Sequence, residues 1–187
     1  QRLSTKIIDA DRRTTLPLGP LHLPMTQSPR NLLLLWDYGW CEHERVKLPR
    51  CQSPQEVIRV YRHSDAFGTS FVGPEPSDTP ELHGPFLSSS ISDSDFELIT
   101  PQHFQDLIAA IPETSGFTES PTDDQWQAVQ YLVSEVSSRH KWLFGLRLTE
   151  DSQECFHDWG FVLSIFREFI CASPDSEFAE RLVFGYD

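Results

Sequence analysis

Phe161-Val162-Leu163-Ser164-Ile165-Phe166-Arg167-Glu168-Phe169-Ile170-Cys171 is the stretch on which the fold turns. Laid out as a strand, both of its faces are mixed. Laid out as a helix, Ser164, Arg167, Glu168 and Cys171 fall at i, i+3, i+4 and i+7, and Val162, Ile165, Phe166, Phe169 and Ile170 fill the other side. The spacing therefore predicts a helix, with Asp158 upstream as its cap. Arg181–Tyr186 reads as a closing strand. On the other side, Trp142–Leu148 alternates as a strand. Before it, Ser120-Pro121-Thr122-Asp123 opens a helix running to Ser138. Asp123 and Asp124 occupy its first turn and Arg139, His140 and Lys141 its end, the order the helix dipole favours.

Further out the signals are of the same kind. Thr100-Pro101 caps a helix carrying Phe104, Leu107, Ile108 and Ile111, which Pro112 ends, and Phe96–Ile99 is a short strand before it. Ser53-Pro54-Gln55-Glu56 is a capping box with proline at the first helical position. Leu32 to Trp36 is apolar on both faces and predicts a central strand, followed by a turn at Tyr38-Gly39-Trp40 and a hairpin partner over Glu44–Leu48. The expected class is α+β: a mixed or mainly antiparallel sheet packed against three or four helices. It occupies a single domain over 31–187, with a long acidic Ser/Pro-rich loop at 73–94 and an extended Pro/Leu-rich arm over 1–30 in front.

Charge is unevenly distributed. The 187 residues hold 15 Lys and Arg against 28 Asp and Glu, a net −13. Between Arg62 and Arg139 there are thirteen acids and no base, while the remainder has fifteen of each. Such a middle argues against nucleic acid and anionic membranes and favours a basic protein partner or plain solubility. No apolar run approaches the length of a membrane span. Four cysteines in a chain of this size do not make a disulfide scaffold; reduced thiols, and so a soluble intracellular protein, are expected.

Chemistry is harder to locate. There is no Gly-rich phosphate loop, dinucleotide fingerprint, nucleophile elbow or H-E-x-x-H pattern. Cys41 and His43, with Cys155 and His157, carry zinc-type donors, but their spacing matches no standard knuckle. Thiol catalysis at Cys155 is disfavoured because His157 and Asp158 are chain neighbours that do not line up as base and orienting group. Leu16, Leu18, Leu21 and Leu23 in the arm and Trp40 in the hairpin are candidate contacts for a partner. The expectation is a non-enzymatic protein-protein interaction domain, an adaptor or complex subunit, using the apolar arm and an acidic surface. The alternatives are a Cys/His metal protein or enzyme, and an acidic chaperone or inhibitor of a basic protein.

Overall fold

Caps place the helices. The Ser53 hydroxyl accepts from the Glu56 amide, Thr100 caps with the amide of His103, and Thr122 forms a reciprocal box with Gln125. The structure, a computed structural model, describes residues 30–36, 38–71, 77–113 and 120–186. The elements run β1 (Arg30–Trp36), β2 (Gly39–Lys47), α1 (Pro54–Arg62), β3 (Thr69–Ser70), β4 (Ser77–Asp78), β5 (Leu82–His83), β6 (Phe86–Leu87), β7 (Phe96–Ile99), α2 (Pro101–Ala109), α3 (Asp123–Arg139), β8 (Trp142–Leu146), β9 (Ile165–Ala172) and β10 (Phe178–Tyr186). Six strands form one sheet in the order β1-β2-β10-β9-β8-β7, antiparallel at every pairing. β3 with β4 and β5 with β6 make two small ladders.

Alternation along the strands builds two cores, one on each face of the sheet. On one face Val46, Phe144, Phe166, Ile170 and Val183 pack under Val57, Ile58 and Tyr61 of α1, together with Phe67, Phe86 and Ile91 from the segment that follows it. On the other, Leu143, Ile165, Phe169, Leu182 and Phe184 pack under Phe104 and Ile108 of α2 and Val129, Leu132, Val133 and Val136 of α3. Each such large side chain taken out of water contributes about 1.5–3 kcal/mol.

Two expectations are overturned. The helix expected over Phe161–Cys171 is instead a 3-10 turn at Gly160–Val162 and then, from Ile165, the strand β9, lying between β8 and β10. Of the residues that read as a wet helical face, only Ser164, which precedes the strand, is exposed. Glu168 is 1% exposed and Cys171 fully buried, while Arg167 is half-buried against Glu150. An interior strand covered on both sides has no polar face, so its polar residues mark buried partners rather than solvent. The chain is thus mainly sheet, with three α-helices among the described residues, and not a sheet packed against three or four helices. The second correction concerns β1. Its leucines predict a central strand, yet among the described residues it is an edge strand paired with β2 alone, with Leu32 56% and Leu34 70% exposed.

Candidate functional site

The α1 face holds a polar network in the middle of its apolar core. Arg181, flanked on its own face by Ala179 and Val183, donates through Nη2 to Glu44 Oε2 at 2.5 Å and lies 3.5 Å from Glu42 Oε1. Its Nη1 donates to the Ala66 carbonyl at 2.6 Å and lies 3.5 Å from the Tyr61 hydroxyl. Tyr61 in turn donates to Glu168 Oε1 at 2.5 Å. His83 joins Glu168 Oε2 through Nε2 at 2.6 Å and the Phe67 carbonyl through Nδ1 at 2.5 Å. Both of its ring nitrogens face oxygen atoms. The His83 ring also stacks on Phe67, and the Arg181 guanidinium lies 5.2 Å from the centre of the Phe71 ring.

Burial sets the electrostatics of this network. It works to raise the Glu168 carboxyl, but the charge and hydrogen bond of His83, with Arg181 and Tyr61, hold it below the usual carboxylate range. Burial likewise opposes the charge on Arg181, and Tyr61, Glu44 and Glu168 more than reverse it. Burial first, and then the charge of Glu168, keeps Tyr61 a phenol well above its ordinary range. Arg181, Tyr61, His83 and Glu168 are at most 1% exposed. The network is therefore sealed, and its chemistry is that of holding α1, β5 and three sheet strands in one register.

The zinc-type donors are divided by the sheet. Cys41 is buried in the core beneath α2 and α3, and burial, with Glu42 beside it, pushes its thiol far up. His43, on the same face, bonds Glu180 at 3.0 Å through Nε2, and Glu180 also holds Arg139 at 3.0 Å and His140 at 3.3 Å. Cys155 packs at the border of the opposite core, its thiol raised by burial and by Glu154 and Asp95. His157 is held by main chain: Nε2 donates to the Gly84 carbonyl and Nδ1 accepts the Trp159 amide, both at 3.1 Å. Among the described residues no group of three or more His, Cys, Asp and Glu is arranged to hold a metal. Leu16, Leu18, Leu21 and Leu23 lie outside the described residues. Trp40 stacks on Phe71 with ring centres 5.6 Å apart and covers Gly185, where a Cβ would come within 2.2 Å of its ring.

What remains open is apolar surface. Leu32 and Leu34 alternate with Leu33 and Leu35, which join the core under α2 and α3, and so face the other side of the sheet, and Tyr38 is 61% exposed in the adjoining turn. The amide of Gln125, at the start of α3, donates to the Leu34 carbonyl at 3.3 Å. A sequence reader misses the sealed network because its members are far apart in the chain, although Arg181 between apolar neighbours at i−2 and i+2 is a usable signal. A charge on an apolar strand face requires a buried partner. Among the described residues no helix is long and apolar enough to cross a membrane. Comparison with protein-family models, with curated proteins and with solved structures finds no match to this chain.

Proposed function

We propose that the chain is a non-enzymatic protein-binding domain that accepts an extended segment of a partner along the edge strand β1. The observation that carries this reading is the exposure of Leu32 and Leu34 on a strand that, among the described residues, has a neighbour on one side only. An edge strand offers main-chain donors and acceptors to an incoming strand, and alternate side chains add apolar contact. The enclosure of the Arg181 network and the raised thiols of Cys41, Cys155 and Cys171 support a binding role over a catalytic one. A partner strand that reaches Leu34 displaces the Gln125 amide, one weak hydrogen bond, so the edge remains usable along its length.

Selection from a displayed library of extended peptides tests the proposal. Peptides enriched on the wild-type protein are expected to lose binding to a Leu32→Glu/Leu34→Glu variant and to slow amide exchange at residues 31–33. Peptides that bind both proteins equally, or that leave β1 exchange unchanged, would remove β1 as the docking edge.

A further inference from the structure

The second exposed apolar feature is built rather than incidental. Trp159 and Phe161 are 66% and 69% exposed, and their rings stack at 26° with centres 6.3 Å apart. Gly160, between them, is buried. A Cβ there would lie 2.2 Å from the Pro85 carbonyl, so only glycine lets the loop sit this close to the β5–β6 ladder. The loop is tied down on both sides of that contact. The His157 amide donates to Pro85 and its ring bridges the Gly84 carbonyl and the Trp159 amide, while Phe86 and Phe156 form a β-bridge. Main-chain ties and a buried glycine thus aim two large aromatics at solvent, where they gain nothing for the fold. Large aromatics presented on a rigid support are the usual anchors of an interface.

The charge around the pair selects the ligand. From Leu148 to Phe166 there are four acids and no Lys or Arg. Glu150 is taken by Arg167, whose two terminal nitrogens reach it at 2.6 and 3.0 Å. Asp151, Glu154 and Asp158 remain exposed in the same loop. Aromatic faces attract a desolvated cation, and carboxylates beside them strengthen that attraction.

We infer that the Trp159–Phe161 loop docks an Arg- or Lys-bearing segment of a protein partner, the cation stacking on the aromatic pair and pairing with Asp158 and its neighbours. The site is separate from the β1 edge and stands without it. Fluorescence anisotropy with a labelled nona-arginine peptide, and a Gly/Ser peptide of equal length as control, reads it. The full chain is expected to bind the cationic peptide, with affinity falling as salt rises. A Trp159→Ser/Phe161→Ser variant, unchanged in net charge, should bind about tenfold more weakly, on the order of two lost cation–π contacts. Asp158→Asn, which keeps the pair, should lose affinity at low salt only. The thermal midpoint of each variant should match the parent, since the substituted side chains lie outside the core. Equal peptide binding by the double variant and the parent would overturn the inference. So would binding of phosphatidylcholine vesicles that depends on Trp159 and Phe161 while the peptide is ignored, because the loop would then insert into lipid.

Discussion

Arg181 sits directly opposite Glu44 across the β2–β10 ladder, and its Nη2 contacts Glu44 Oε2 at 2.5 Å with the guanidinium fully enclosed. This pair, with Glu42 beside it, places charge where the surrounding packing is apolar. Arg181→Met takes the shared cation from two buried carboxylates and is expected to cost about 3–5 kcal/mol. Urea unfolding reads the loss. An Arg181→Met/Glu44→Leu double variant should recover part of it, since two apolar groups replace a broken pair at lower cost than one. No recovery would show that Glu44 is held chiefly by other groups.

Tyr61 is the hinge between Arg181 and Glu168. Tyr61→Phe keeps the ring that packs edge-on against Phe67 and Phe96 but removes the donor to Glu168 Oε1. A destabilisation of about 1–3 kcal/mol is expected, with no change in m-value. A Tyr61→Phe protein as stable as the parent would mean that Glu168 is satisfied by His83 alone.

Acid should unfold the protein earlier than a chain with ordinary carboxylates. Glu168 is held low as described. At Glu180 burial works upward, but the hydrogen bonds of His140 and His43 and the charge of Arg139 drive the carboxyl far below its usual range. A carboxyl lowered in the fold contributes stability above its unfolded value, about 4.3, and that contribution fades as pH falls below it. Stability measured from pH 6 downward should therefore drop steeply below about pH 4.3. Glu180→Gln should lower stability at neutral pH and flatten that slope. The groups facing Glu180 are His43, Arg139 and His140, so an unchanged slope in the variant would assign the acid response to Glu168.

Thiol reactivity should sort by burial. Cys41, Cys51 and Cys171 are buried and Cys155 is partly exposed, and burial raises all four thiols above their usual range. Native protein with a chromogenic disulfide at pH 8 is expected to react slowly at Cys155 only, and at all four once denaturant is added. Fast native reaction at more than one site would contradict this packing.

Gly84 has φ +55°, and a Cβ there would lie 2.4 Å from the Phe166 ring. Gly84→Ala combines a left-handed backbone with a core clash, so a loss of about 1–3 kcal/mol is expected in thermal or urea unfolding. A neutral effect would show that the β5–β6 turn can move off Phe166.

Local signals were the legible part of the sequence. All three helices start within a residue or two of where Ser53, Thr100 and the Ser120–Asp123 stretch point, because a cap is decided by four consecutive residues. β9 carries a helical spacing in the sequence because its polar residues answer to distant partners: Glu168 to Tyr61 and His83, Arg167 to Glu150. No periodicity within β9 contains that information. β1 failed for the opposite reason. Four leucines in a row state that a strand is apolar on both sides, but not whether a neighbour exists to cover it. The zinc-type residues illustrate the same limit. Two positions apart on β2, Cys41 and His43 share a face, while Cys155 and His157 lie beyond the sheet on the other side. The apolar edge, which carries the proposed function, was legible only as composition.

The pairing of β2 with β10 has a consequence for how the chain is made. The β1–β2 hairpin is made well before its inner neighbour, which is the last strand of the described chain. At ordinary synthesis rates the wait is on the order of ten seconds. During that interval β2 has a vacant side, the carboxylates of Glu42 and Glu44 have no Arg181 to meet, and both margins of a leucine-rich hairpin stand bare. Acidic residues at those two positions keep the nascent ribbon charged along one face, which discourages it from pairing with other nascent chains. The same carboxylates meet Arg181 when β10 pairs, so the arrangement that seals the core also guards the unfinished chain.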